Sequence, residues 1–117
     1  MSSDPQCLFC RIIEKKAPAK IIHEDERSIA FEDVNPKAPV HILIVPKKHI
    51  ADIHSIVVTD REIIGHLFFI AKTIASKLGL NRGGYRMVIN NGHDAGQSVF
   101  HIHLHLLSGR TFAWPPG

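Results

Sequence analysis

Cysteine is nearly missing from this chain: 117 residues hold two, Cys7 and Cys10. They sit too close together for a useful structural disulfide, so a disulfide-stapled secreted fold is excluded. Long apolar runs are missing too. None approaches the roughly 20 residues that a membrane-spanning helix needs. Residues 1–5 carry no basic stretch and lead into no apolar core, so no signal peptide is expected there. Charge of one sign is also scarce. The 14 basic and 11 acidic residues leave +3, and the adjacent basic pairs are Lys15-Lys16 and Lys47-Lys48. Neither pair makes a nucleic-acid patch, although a mild positive field suits a small anionic ligand. Internal repeats and low-complexity segments are absent. With 44% hydrophobic and 21% charged residues, the chain reads as one globular domain over 1–117. The compartment expected is the cytoplasm, with the nucleus added in a eukaryote. No membrane and no nucleic-acid partner is expected.

What remains has a clear order. Leu8, Phe9, Ile12 and Ile13 recur at helical spacing, so residues 6–16 read as a short helix with Asp4 and Pro5 as start signals. Residues 1–5 before it are expected to be flexible. Residues 21–23 and 28–32 read as strands joined by the acidic turn Glu24-Asp25-Glu26. Asn35-Pro36 and Ala38-Pro39 mark a loop, and residues 41–45 form a β-rich run closed by Pro46. The long helix is signalled by Thr59-Asp60-Arg61-Glu62, with Thr59 as N-cap and Glu62 reaching back. Its stripe is Ile63, Ile64, Leu67, Phe68, Ala71, Ile74, Ala75 and Leu78, and Gly79 stops it. Phe69 and Ile70 widen the stripe, which fits either a broad core face or a contact with a second subunit. Residues 85–90 alternate as a strand. The fold expected is α+β: a mostly antiparallel five-stranded sheet with one long and one short helix.

The richest stretch is His101-Ile102-His103-Leu104-His105-Leu106-Leu107. On a strand, side chains alternate between faces, so three imidazoles share one face within about 14 Å and the aliphatics share the other. Imidazole titrates near neutrality, binds metals and can act as a nucleophile. A glycine-bearing loop, Asn91-Gly92-His93-Asp94-Ala95-Gly96-Gln97-Ser98, feeds into this stretch. Successive backbone N–H groups in such a loop can hold a phosphate, with Ser98 and Asn90 adding polar side chains. A neutral His103 whose other nitrogen is hydrogen-bonded could then attack phosphorus, and phosphoryl transfer asks mainly for positioning and charge stabilisation. The same His-x-His pattern also suits a catalytic zinc site, although no carboxylate adjoins it in sequence. A non-catalytic nucleotide sensor is the third option. Of the other histidines, His23, His54, His66 and His93 read as isolated and solvated. His41 opens a strand and reads as half-buried.

Residues 96–107 closely resemble the histidine-triad (HIT) motif, His-x-His-x-His followed by two apolar residues. Further segments resemble the Hint branch of that superfamily: Ala19-Lys20-Ile21-Ile22, Asn35-Pro36-Lys37-Ala38-Pro39, Ile44-Val45-Pro46-Lys47-Lys48-His49-Ile50, Gly84-Tyr85-Arg86-Met87-Val88 and Trp114-Pro115-Pro116-Gly117. The resemblance implies a homodimer whose two sheets join into one. It implies binding of purine nucleoside monophosphates and hydrolysis of nucleoside phosphoramidates, such as an adenosine monophosphate joined to an amine or lysine. Within the superfamily the alternative substrates are dinucleoside polyphosphates, against which the Trp-Pro-Pro-Gly tail argues. By the same resemblance His103 is the nucleophile, His105 contacts phosphate and His101 supports the site. Asn90, Gly96, Gln97, Ser98 and Val99 correspond to the phosphate loop, with Ser98 near the leaving group. Asp33 corresponds to the ribose carboxylate, and Leu8, Phe9, Ile12, Phe31 and Val34 to the base pocket. Trp114, on a tail spanning 109–117, corresponds to a residue that reaches the partner's site. No cofactor is implied for catalysis.

Many Hint-like proteins lack the Cys7-x-x-Cys10 pair. Some HIT proteins carry a similar pair that binds structural zinc with two histidines, and the corresponding positions here are His49 and His101. A closed Cys2His2 site is chemically reasonable. It would make His101 both a member of the triad and a metal ligand. Glu32, beside Asp33, departs from the family pattern.

Overall fold

The central strand is set by its composition. Val40–Pro46 (β3) is apolar at nearly every position, and all but its first residue are buried. A run like that needs cover on both faces. Ile42 and Ile44 turn to one side, where they pack with Leu67, Ile70, Ala71 and Ile74 of the long helix α2 (Arg61–Lys77). Leu43 and Val45 turn to the other, where they pack with Phe9, Cys10 and Ile12 of the short helix α1 (Leu8–Ile13). The structure, a computed structural model, describes residues 3–117. Its remaining strands are β1 (Ile21–Glu24), β2 (Ser28–Glu32), β4 (Tyr85–Val88) and β5 (Leu104–Ser108). The described residues form one five-stranded antiparallel sheet of order β1-β2-β3-β5-β4. The α+β architecture read from the sequence is therefore present. Among the described residues no helix is long and apolar enough to cross a membrane.

Several local expectations are corrected. Helix α1 is shorter than residues 6–16. It begins after Cys7, whose sulfur accepts the Cys10 N–H at 3.4 Å, and the chain turns at Lys15, where φ is +63°. Of the stretch 1–5 expected to be flexible, Met1 and Ser2 lie outside the described residues. Asp4 is tied down: its carbonyl accepts the Cys7 N–H and its Oδ1 accepts the Gln6 N–H, both at 2.9 Å. Helix α2 is capped at Asp60 rather than Thr59, after a 3-10 turn over Val58–Asp60. The Asp60 carboxylate accepts the Val57 N–H at 3.0 Å and pairs with Lys48 Nζ at 2.6 Å, a partner twelve residues away that local sequence does not announce. At its C-terminus the expectation holds. Gly79 has φ +69°, and the Leu80 N–H to Ala75 carbonyl (2.9 Å) and Gly79 N–H to Ser76 carbonyl (3.2 Å) bonds form a Schellman motif. Of the predicted stripe, Phe68 and Leu78 stay exposed, and Ile70 takes a core position instead. Strand β4 stops at Val88 rather than 90.

The histidine stretch is only partly strand. Strand β5 starts at Leu104, so His101 and His103 precede it. The reason lies opposite, in Pro46 at the end of β3. Proline has no N–H to continue the ladder, and its carbonyl accepts His101 Nε2–H at 2.8 Å instead. The alternation survives in extended chain. Ile102 packs with Ile50 and Ile63, Leu104 and Leu106 join the α2 side, and the histidines face α1.

Candidate active site

Helix α1 stands off the sheet far enough to leave a cavity of about 430 Å³. Leu8, Phe9, Ile12, Phe31, Val34 and Leu43 make its apolar end, and Asp33, Ser98, His103 and His105 make its polar end. The sequence-derived base-pocket residues, with Asp33, Ser98, Val99, His103 and His105, therefore converge. Asn90, Gly96, Gln97 and Trp114 do not line this cavity. Gln97 is buried and its side chain braces the loop: Oε1 accepts the Gly92 N–H at 2.7 Å, and Nε2 donates to the Ala51 carbonyl at 2.8 Å. Trp114 is 84% exposed on the tail. A larger hollow, about 660 Å³, lies between the residues after α2 and the tail, but its walls, including Arg86, Arg110 and Phe112, hold no histidine or carboxylate.

The three histidines are distinguished by what each second nitrogen does. His103 Nδ1 lies 2.8 Å from the His101 carbonyl. A carbonyl only accepts, so Nδ1 carries the proton and the neutral ring keeps its lone pair on Nε2. His105 is set from further away. The Lys37 backbone N–H donates to His41 Nδ1 at 3.0 Å, so His41 carries its proton on Nε2. That proton points to His105 Nδ1 at 2.9 Å, with Asp33 Oδ2 at 3.4 Å from the same nitrogen. His105 Nδ1 therefore accepts, and its Nε2 carries a proton to donate. Phe9 closes the cluster edge-on, its ring centroid 5.1 Å from that of His103. Burial is the main force lowering the proton affinity of all these rings. His101 and His105 are both pushed down to about 4, and His41 and His103 are lowered as well.

Sequence reasoning missed His41, which is buried within this cluster rather than half-buried at a strand end. It also found no carboxylate next to the triad in sequence and gave Asp33 only to the ribose. Asp33, His41 and His105 in fact bring their ligand atoms within 4.8 Å of one another. His23 and His66, read as isolated, both bind Asp25 Oδ2, at 2.8 and 2.9 Å. Glu32 is exposed, borders the cavity and pairs with Lys20 at 3.3 Å.

Beside this cavity, Cys7, Cys10, His49 and His101 bring four ligand atoms within 4.8 Å of one another. His49 Nδ1 and His101 Nδ1 are 3.1 Å apart, and three sulfur-to-nitrogen separations, Cys7 to His101 and Cys10 to His49 and His101, are 3.3 to 3.5 Å. A tetrahedral zinc ion, with Zn–S about 2.3 Å and Zn–N about 2.0–2.1 Å, requires about 3.3 Å between nitrogens and about 3.6 Å between sulfur and nitrogen. These four separations fit it within a few tenths of an ångström, and all the donors lie within 4.8 Å of one another. The His101 Nε2–H bond to Pro46 leaves Nδ1 as the lone-pair nitrogen, as a ligand requires. Burial pushes the Cys10 thiol up to about 11. A neighbouring cation is what would restore its thiolate.

The HIT-domain family matches residues 14–112. An uncharacterized HIT-like protein of Synechocystis is 48% identical over 110 residues, covering 94% of this chain and 96% of its own. The crystal structure of a HIT family hydrolase from Legionella pneumophila superposes with a TM-score of 0.93 at 47% identity, over 96% of this chain and all of that one. A histidine triad nucleotide-binding protein from Candida albicans superposes with a TM-score of 0.81 at 31% identity, over 94% of this chain and 83% of that one.

Proposed function

The chain belongs to the HIT-domain family, and on that premise we propose that it is a purine nucleoside phosphoramidase of the Hint branch. The observation that carries this reading is the His103 Nδ1–H bond to the His101 carbonyl, which leaves Nε2 as the attacking lone pair at the polar end of the cavity. The base lies among Leu8, Phe9, Ile12, Phe31 and Val34. Asp33 takes the ribose hydroxyls, and the 96–99 loop with Ser98 takes the phosphate. Nucleotide binding in this reading is supported by the name of the Candida albicans relative.

His103 Nε2 bonds to phosphorus while the P–N bond breaks. The departing nitrogen keeps the bonding pair, takes one proton from water at the exposed Ser98 side, and leaves as an amine. The Nδ1–H bond to the carbonyl stabilises the positive charge that the nucleotidyl-imidazole carries. His105 Nε2–H donates to the phosphoryl oxygen where charge develops. Water then attacks phosphorus, the pair returns to His103 Nε2, and one proton goes back to solvent with the nucleoside monophosphate.

Zinc on Cys7, Cys10, His49 and His101 would be structural, since four protein ligands leave no open position. Cys7 and Cys10, at and within the start of α1, would through it be tied to His101, whose carbonyl orients His103. A homodimer is supported by apolar side chains left outside: Phe69 is 62% exposed and Met87, on edge strand β4, 38%. Edge-to-edge pairing there would continue the sheet and bring the 109–117 tail, with Trp114, towards the partner.

The test is hydrolysis of an adenosine 5′-phosphoramidate, with intact mass spectrometry for the nucleotidyl adduct. Wild type should turn over and His103→Ala should not. Equal slow hydrolysis by both sinks the reading. The Asp33–His41–His105 cluster favours one competitor, a metal-dependent hydrolase, and turnover lost on chelation at saturating substrate, with melting temperature and nucleotide affinity unchanged, would favour it.

A further inference from the structure

The nucleotide cavity has a neighbour. A second hollow of about 330 Å³ shares Leu8, Ser98 and Val99 with it and continues to Asp4, Gln6 and Phe100. We propose that this hollow is the leaving-group subsite and that it selects alkylamines bearing a second positive charge. The proposal rests on the phosphoramidase reading and adds the class of amine.

In-line displacement sends the leaving nitrogen away from His103 Nε2. The nucleoside occupies the apolar end between α1 and the sheet, so the amine must depart past Ser98. Ser98 is exposed and lines both spaces. Beyond it, Leu8 and Phe100 are 44% and 46% exposed. They offer apolar surface to a methylene stem, and neither belongs to the buried core. Asp4 is the one ionisable carboxylate among the described walls, and no basic side chain lines the hollow. Its position is fixed, because Oδ1 accepts the Gln6 N–H and the Asp4 carbonyl accepts the Cys7 N–H. Among the described residues its Oδ2 accepts no hydrogen bond, and in this proposal it accepts from an ammonium. A diamine matches these walls: its first nitrogen leaves phosphorus with the bonding pair and one proton, while its second stays protonated against Asp4. An amine carrying a carboxylate would set like charges together.

Three adenosine 5′-phosphoramidates of matched length test this: those of 1,4-diaminobutane, butylamine and 4-aminobutanoate. The kcat/KM should fall in that order, by about five-fold per step, the factor for one unit charge pair about 4 Å apart in water. The diamine preference should shrink at high salt, because exposed charges are screened. Asp4→Asn, whose amide oxygen can still cap Gln6, should bring the diamine-to-aminobutanoate ratio towards one. Equal kcat/KM for all three amines, or a ratio unmoved by salt and by Asp4→Asn, overturns the subsite while leaving the phosphoramidase standing. Hydrolysis of none of them overturns both.

Discussion

Removing the zinc proposed for the Cys7–Cys10–His49–His101 site is the perturbation with the largest expected effect. The donor set is Cys7, Cys10, His49 and His101, in which four donor pairs at 3.1 to 3.5 Å are already suited to zinc. Helix α1 supplies or adjoins both sulfurs and is six residues long, too short to persist without tertiary anchors. A ligand present at 1,000 times its dissociation constant stabilises the folded state by about 4 kcal/mol. At about 2.1 cal/mol/K per residue, a chain of 117 residues has an unfolding entropy near 0.25 kcal/mol/K. Chelation should therefore lower the melting temperature by about 16 °C, and zinc should restore it. The same loss should reach the nucleotide. Leu8, Phe9 and Ile12 all ride on α1, and losing the contact of one such side chain costs about 1.5–3 kcal/mol. Adenosine monophosphate should then bind about 10- to 100-fold more weakly. Differential scanning calorimetry, titration calorimetry and metal analysis of the same sample check this. One zinc per chain with both shifts is the expected result. A metal-free preparation with unchanged melting and unchanged nucleotide affinity would refute the reasoning.

Three other predictions follow from separate parts of the structure. His41→Ala removes the donor that fixes His105 and should lower kcat by about 100-fold with little change in nucleotide affinity; an unchanged kcat would remove His41 from the site. Burial raises the Asp25 carboxyl, but hydrogen bonds from His23, the Arg27 N–H, His66 and Ser28 outweigh it and hold the group well below the usual carboxylate range. A depressed folded value gives stability that is present above the unfolded pKa and is lost as pH falls. Asp25→Asn should thus cost about 1–3 kcal/mol at neutral pH, and the gap to wild type in urea melts should close below about pH 4; a gap constant with pH contradicts this. Phe69→Glu puts a charge on the proposed subunit face and should convert a dimer to a monomer in light scattering. Wild type already running as a monomer removes the dimer from the account.

How far the site was legible depended on how far apart in sequence its partners stood. The triad could be read locally, since alternation places His101, His103 and His105 on one face whether or not the strand has begun. Helix α2 could be read from its period and Gly79, but not its start, where Asp60 is engaged by Lys48 across a turn. His41 was not read because its role arises from register. In the antiparallel pair β3–β5, Leu43 lies opposite His105, so His41 is a diagonal neighbour on the same face. Placing those two strands side by side would have been enough to find it. The Asp25 cluster likewise joins β1 to α2 over 41 residues, through His66.

The deeper limit concerns protonation rather than position. Three identical side chains receive different chemistry from three main-chain groups. The Pro46 carbonyl takes the Nε2 proton of His101 and turns its lone pair towards the thiols. The His101 carbonyl takes the Nδ1 proton of His103 and frees Nε2. The Lys37 N–H, acting through His41, leaves His105 a donor at Nε2. A protonated His105 would need a proton on Nδ1, where His41 already points one. That ring is therefore held as a neutral donor, and in the proposed phosphoramidase reaction the proton for the leaving amine has to come from elsewhere. This places proton delivery at the exposed Ser98 side, next to Asp4. A solvent isotope effect on kcat that disappears in His105→Ala, rather than persisting at a lower rate, would contradict that assignment.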